Sequence, residues 1–211
     1  MNERLIQALS VMESMFPNAK AQLNHQNAFE LTVAVMLSAQ TTDIAVNKVT
    51  PSLFQAYPTV FELSIAQSED IESYIRTIGL YKNKAKALVN MAKRVVREFN
   101  GVIPSSKKKL LSLDGVGIKT ANVIRSVWFN VPAIAVDTHV ERVSKRLGFA
   151  KEEDSVIDVE RKLKKKTPRK DWIKAHHLMI FFGRYHCKAI SPQCKSCPLG
   201  TQCRYKNKKE L

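Results

Sequence analysis

LLSLDGVGIKTAN, residues 110–122, is the stretch on which the fold turns. An apolar helix end runs into Leu113-Asp114-Gly115-Val116-Gly117, and a new helix starts at once. Two glycines one residue apart allow a tight turn and let backbone N–H groups come close to a phosphate. The helix that follows adds the positive end of its dipole. This is the pattern of a helix-hairpin-helix, with Gly115, Val116 and Gly117 as the turn. Such a turn grips a nucleic-acid backbone without reading its sequence. Many helix pairs turn on glycine and bind nothing. Here Lys107-Lys108-Lys109 stand just before the turn, and the whole chain carries a formal charge of +15. Both favour a phosphate partner.

Working outward, helical periodicity recurs along most of the chain. Leu5, Leu9, Met12 and Phe16 share one face of an opening helix. FELTVAVMLSA (29–39) is apolar nearly all round, as a buried central helix would be. Ile71, Tyr74, Ile75 and Ile78 keep the same period, and Gly79 is a natural stop. Ala85, Leu88, Val89, Ala92, Val96 and Phe99 form the clearest stripe. Val140, Val143 and Leu147 end at Gly148; Trp172, Ile173, His176, Ile180 and Phe181 end at Gly183. The only extended-looking piece, residues 132–136, is too short to build a sheet. Pro17, Pro51, Pro58, Pro104, Pro132 and Pro168 are read as breaks between helices. The expectation is an all-α protein of roughly ten short helices.

Composition narrows the function. The 211 residues are 45% hydrophobic and 25% charged, a globular balance that excludes a wholly disordered or rod-like chain. Lys and Arg number 34 against 19 Asp and Glu, so polyanions are the expected partners: nucleic acid first, an anionic membrane second. No apolar run reaches the roughly 20 residues of a membrane span. The opening Met1-Asn2-Glu3-Arg4-Leu5 lacks a signal-peptide pattern, so a cytoplasmic, nucleoid-associated location is expected.

All four cysteines, Cys187, Cys194, Cys197 and Cys203, lie in the spacing C-x6-C-x2-C-x5-C. In a reducing compartment, four thiols in a segment with little apolar periodicity read as a metal site that folds the tail. Zinc and a four-iron, four-sulfur cluster both accept four cysteines. The gap of six is long for a zinc ribbon and leans toward the cluster. Lys188, Lys195 and Arg204 sit among the ligands, placed either to meet phosphates or simply to face solvent.

Lys119 falls in the first turn of the helix after the hairpin. It reads either as a phosphate-binding cation or, given a partner, as an amine nucleophile. Asp137 ends the apolar run IAVD before a helix, which suits an N-cap. The same carboxylate is the best candidate partner for the amine, taking a proton or stabilising developing positive charge.

With these residues together, the chain resembles the endonuclease III family of bacterial base-excision DNA glycosylases and abasic-site lyases. The likeness runs nearly end to end, through LSAQTTD (37–43), IGLYKNKA (78–85), GVGIKTANV (115–123), AVDTHVERV (135–143), HHLMIFFGRYHC (176–187) and the cysteine array. It implies two helical domains with DNA in the cleft between them. A six-helix domain would span 21–132, and an iron–sulfur cluster domain 1–20 plus 133–211. The resemblance implies Lys119 as nucleophile and Asp137 as essential carboxylate. It implies one 4Fe–4S cluster on the four cysteines, and duplex DNA with a damaged base or abasic site as partner of a monomeric enzyme. Gln40 would fill the gap left by an extruded base, and Leu80 would wedge into the duplex; each also reads blandly, as a helix-end polar residue and a core leucine. Lys188 would join Gly115, Val116 and Gly117 on the DNA. The family commonly has Pro before the first glycine and Arg before the lysine. Asp114 and Ile118 stand there instead, which implies weaker hold on DNA. The alternatives are a monofunctional adenine- or thymine-mismatch glycosylase and a non-catalytic DNA-binding module with structural zinc.

Overall fold

A computed structural model of the chain describes residues 2–205, and those residues contain helices and no strand. They divide into two compact units: residues 22–131, and residues 1–21 with 132–211.

The first unit holds α2 (Ala28–Leu37), α3 (Asp43–Ala56), α4 (Val60–Ile65), α5 (Ser68–Ile75), α6 (Tyr81–Phe99), α7 (Lys107–Leu110) and α8 (Ile118–Val127). Helix α2 is buried from Leu31 to Leu37, as its all-round apolarity requires. The α6 stripe buries Ala85, Leu88, Val89, Met91, Ala92 and Val95, while its lysines and arginines face outward or reach sideways. Polar side chains start several helices. Asn27 accepts from the Glu30 N–H, Thr42 from Ala45, and Thr59 forms a capping box with Glu62.

The second unit holds α1 (Glu3–Met15), α9 (Thr138–Arg146), α10 (Val156–Lys166) and α11 (Trp172–Phe181). Its core gathers Leu5, Met12, Val140, Val143, Phe149, Leu163, Met179 and Phe182. Residues 133–136 belong to no helix or strand and are buried, Ile134 and Val136 as part of this core.

Two punctuation marks behave differently from their sequence reading. Pro51 lies inside α3 instead of between helices. It is exposed, and the helix runs through it at the cost of the one bond that its missing N–H would have given to the Asn47 carbonyl. Gly183 does not stop the helix before it. Winding continues past Phe181 as a π-helical turn, Phe182–His186, closed by the Cys187 N–H on Phe182 O at 2.7 Å. A Cβ at 183 would stand 2.9 Å from His139 Cβ, so glycine here serves the close passage of α9. No helix among the described residues is long and apolar enough to cross a membrane.

Leu88 is fully buried at the centre of the α6 stripe. Leu88→Ala is expected to lower unfolding free energy by about 3 kcal/mol, read by denaturant titration with an unchanged m-value.

Candidate functional site

The hairpin is built as the glycines demand. Helix α7 ends in a turn closed by the Leu113 N–H on Leu110 O (3.0 Å) and the Val116 N–H on Leu113 O (3.1 Å). Gly115 has φ +74°, and a Cβ there would press Met36 Cε at 2.9 Å and Ala87 Cβ at 3.1 Å. Only glycine satisfies both the backbone and the space. Val116 is buried and its N–H is used in the turn, so it contributes packing to the hairpin. Gly117 starts α8 with nothing within 4 Å of where a Cβ would lie, and no side chain caps that helix. The first helical bond is Ala121 N–H to Gly117 O (2.9 Å), which leaves the amides before it open to an anion. Arg94 on α6 braces the turn by donating to Ser112 O.

Lys119 is exposed in the first turn of α8. Asp114 and Ile118, the two departures, are exposed as well. Asp137 caps α9: its Oδ1 accepts from the His139 N–H (2.9 Å) and the Val140 N–H (2.8 Å). The other oxygen, Oδ2, takes no hydrogen bond among the described residues. The capping reading and a chemical role are compatible, because the cap fixes one oxygen and leaves the second available.

Gln40 and Leu80 share an unusual backbone. Both are left-handed, with φ 55° and φ 60°, and both are exposed, Leu80 at 60%. Leu80 is therefore not a core leucine. A non-glycine residue in this region costs energy and is retained where the surrounding structure holds it.

The four cysteines carry half-buried thiols that form no disulfide, and they line one cavity together with Leu147, Phe182, His186 and Pro192. Burial pushes the Cys197 thiol above its ordinary value, with the other three cysteines adding to the effect. Among the described residues, no three His, Cys, Asp or Glu side chains converge on a single-ion site. Lys188 is exposed beside them.

Two residues not singled out by the sequence organise this tail. Arg146, 9% exposed, donates from Nη1 to Lys188 O (2.7 Å) and Cys187 Sγ (3.5 Å), and from Nη2 to Ala189 O (3.3 Å). Its carbonyl accepts from the Arg204 N–H at 2.7 Å, and its guanidinium lies 4.1 Å from the Tyr205 ring centroid. One turn earlier, Arg142 donates to Gly183 O (2.7 Å) and Cys187 O (3.1 Å) and meets His139 Nδ1 at 3.2 Å. Burial, first of all, pulls His139 below the usual histidine value. The only sequence signal for this pair is two arginines four apart on a helix with a buried stripe, which reads equally as a solvated face.

An open-amide glycine hairpin and a four-thiol tail within a helical chain define a helix-hairpin-helix protein of the base-excision type. The chain belongs to the HhH-GPD superfamily of base excision DNA repair proteins, whose family pattern matches residues 33–169. It is 51% identical over 202 residues to endonuclease III of Bacillus subtilis, covering 96% of this chain and 92% of that protein. It is 39% identical over 206 residues to endonuclease III of Escherichia coli K12, covering 98% and 97%. A solved structure of a trapped endonuclease III–DNA covalent intermediate superposes with a TM-score of 0.96 at 51% identity, covering 100% of this chain and 99% of that one. A thermostable thymine-DNA glycosylase at 20% identity and TM-score 0.86 shares the fold.

Because Asp137 caps α9 through one oxygen, Asp137→Ala is expected to lose about 1 kcal/mol of stability. Asp137→Asn keeps an acceptor and should melt within a degree or two of the parent, on the scale of the few tenths of a kcal/mol that separate good caps. Calorimetry on the two variants separates the cap from any chemical role.

Proposed function

We propose that the chain is a bifunctional base-excision-repair DNA glycosylase, which removes oxidised pyrimidines and cuts the abasic site by β-elimination through a lysine Schiff base. The observation that carries this reading is the position of Lys119. Its amine stands exposed two residues beyond the glycine hairpin, in the first turn of α8, whose leading amides are open to a phosphate. The relative trapped as a covalent DNA intermediate supports it.

In this reading the hairpin amides hold the backbone of the damaged strand, and Lys188 adds a cation. The oxidised base is extruded; such bases have lost aromaticity and stack poorly, so extrusion costs less. Gln40 and Leu80 take up the space it leaves, a role suited to exposed side chains on strained backbone. Lys119 Nζ attacks the sugar C1′, the C1′–N bond breaks, and the base leaves. The second oxygen of Asp137 stabilises positive charge on the sugar and accepts a proton. The sugar ring then opens, O4′ leaving C1′ and taking up the proton that the amine gave Asp137, and C1′ becomes an imine. The imine acidifies the C2′ proton; its loss expels the 3′ phosphate and cleaves the strand. A monofunctional glycosylase generally lacks the lysine, and a passive binding module has no need for Lys119 together with Asp137. The work is on chromosomal DNA, so the protein acts at the nucleoid.

The four cysteines are proposed to hold one 4Fe–4S cluster. All four thiols line one cavity closed by Leu147, Phe182 and Pro192, and four cysteine sulfurs in an apolar pocket are the donor set such a cluster takes. When bound, the cluster cross-links residues 187–203 and so presents Lys188.

Borohydride should join the protein covalently to duplex DNA carrying an abasic site. Lys119→Ala should abolish that adduct and leave DNA binding largely intact; an adduct that persists in the variant reassigns the nucleophile. Aerobically purified protein should be brown, with a broad visible band and close to four iron atoms per chain, the stoichiometry of that cluster type. Colourless, zinc-loaded protein with full activity would refute the cluster.

A further inference from the structure

We propose that Lys84 is a positioning residue that locks the loop carrying Gln40 to the helix that begins at Leu80, and so sets both side chains for base extrusion. This rests on the role given to Gln40 and Leu80 above.

Lys84 Nζ donates to Ala39 O (2.7 Å), Leu37 O (2.9 Å) and Thr41 Oγ1 (3.0 Å). An ammonium has three donors, and all three are used. The acceptors bracket Gln40 on both sides along the chain. The same residue's backbone N–H donates to Leu80 O at 3.0 Å, the first bond of α6. One residue is thus bonded to the immediate neighbours of Gln40 and to Leu80 itself.

The arrangement is not what a solvated or phosphate-seeking lysine adopts. Lys82 and Lys86, two residues to either side, are exposed, whereas Lys84 is half-buried. Its three acceptors include no carboxylate. Burial pulls the Lys84 ammonium below the ordinary lysine value. Desolvating a cation is tolerated when every donor is satisfied, as here. The beneficiaries are groups with few other options. Leu37 O sits in the last turn of α2, where carbonyls lack helical partners. Residues 38–42 must turn through a left-handed Gln40 before Thr42 caps α3. Leu80 enters α6 left-handed and without a side-chain cap. Two strained residues that must act together are therefore held by one cation. Misplacement of positioning groups by about 1 Å can cost roughly a hundredfold in rate.

The test uses the full, metal-loaded chain and a duplex with one oxidised pyrimidine beside 2-aminopurine, whose fluorescence rises on unstacking. Lys84→Met should slow single-turnover excision about tenfold or more, with a smaller change in duplex affinity, and should blunt the fluorescence rise. Lys84→Arg, which keeps donors, should recover most of the rate. In a Gln40→Ala/Leu80→Ala background, Lys84→Met should cause no further loss, the non-additivity of residues that act through one another. Without DNA, amide hydrogen exchange of residues 38–42 should quicken in Lys84→Met. Thr41→Val, which removes one acceptor, should show the same pattern on a smaller scale and serves if Lys84→Met does not fold. The proposal is overturned by parental excision and exchange in Lys84→Met, or by an equal further loss in the double-alanine background. A parent that excises no oxidised pyrimidine would instead overturn the glycosylase reading, while the exchange measurement still reports on the lock.

Discussion

The buried apolar face of α6 is the constraint on which the working half of the chain depends. Sinking Ala85, Leu88, Ala92 and Val95 into the core fixes the axis and rotation of a nineteen-residue helix. Everything expected to meet DNA in that unit is then positioned from its flanks. Leu80 stands at its entrance. Lys84 reaches to the Gln40 loop, Ala87 closes the space behind Gly115, and Arg94 holds the carbonyl of Ser112. These positions lie along one helix, so the hairpin, the Gln40 loop and Leu80 share a single rigid reference. The interior tolerates little displacement, which is why a small residue at 115 is required and a long cation at 84 is useful.

The other unit solves a different problem. Its cysteine segment has too little apolar surface to order itself, and the proposed cluster is one answer to that. Arg142 and Arg146 are another. They lie one turn apart on α9, whose apolar stripe is buried, and their guanidinium groups satisfy carbonyls of Gly183, Cys187, Lys188 and Ala189. A planar fork with five donors can hold several backbone oxygens at once, in a fixed plane that lysine lacks. The carbonyls of the cysteine loop are thus tied to the core by protein contacts independent of the proposed cluster, and Gly183 allows α9 near enough to make those contacts.

The helices are legible in the sequence because burial imposes a period of 3.6, and most stripes found there are buried faces in the structure. The stripe read on α11 is the exception: its buried side runs through Ala175, His176, Leu178 and Met179, while Trp172, Ile173, Ile180 and Phe181 are only half-buried. The hairpin is legible because two glycines at that offset, flanked by helical patterns, leave the backbone little choice but a tight turn. The cysteine spacing announces a metal centre, though not which metal. What stays hidden depends on contacts between segments distant in sequence. Lys84 lies in a run of lysines at 82, 84 and 86, and nothing local says that only the middle one turns inward. Arg146 reads as surface charge for the same reason. The left-handed backbone at Leu80 has no sequence marker, since leucine is not a residue that favours it. Pro51 misleads because proline disfavours a helix interior only on average.

The departures in the hairpin acquire a meaning from this geometry. Asp114 and Ile118 remove cationic character at the turn, yet both are exposed and neither distorts it: Gly115 keeps its left-handed backbone and the amides at the start of α8 stay open. A backbone amide holds a phosphate by hydrogen bonding and dipole, whereas lysine and arginine also displace condensed counterions, with a salt slope of about 0.9 per phosphate neutralised. On the proposed function, an added carboxylate at 114 and a lost cation at 118 would weaken attraction without loosening register. The compensating attraction would come from the rest of a chain with 34 basic and 19 acidic residues. On the proposed function, affinity would thereby be spread over the surface, while the hairpin would supply mainly orientation. Orientation is what the proposed nucleophile, two residues beyond the turn, would require of it.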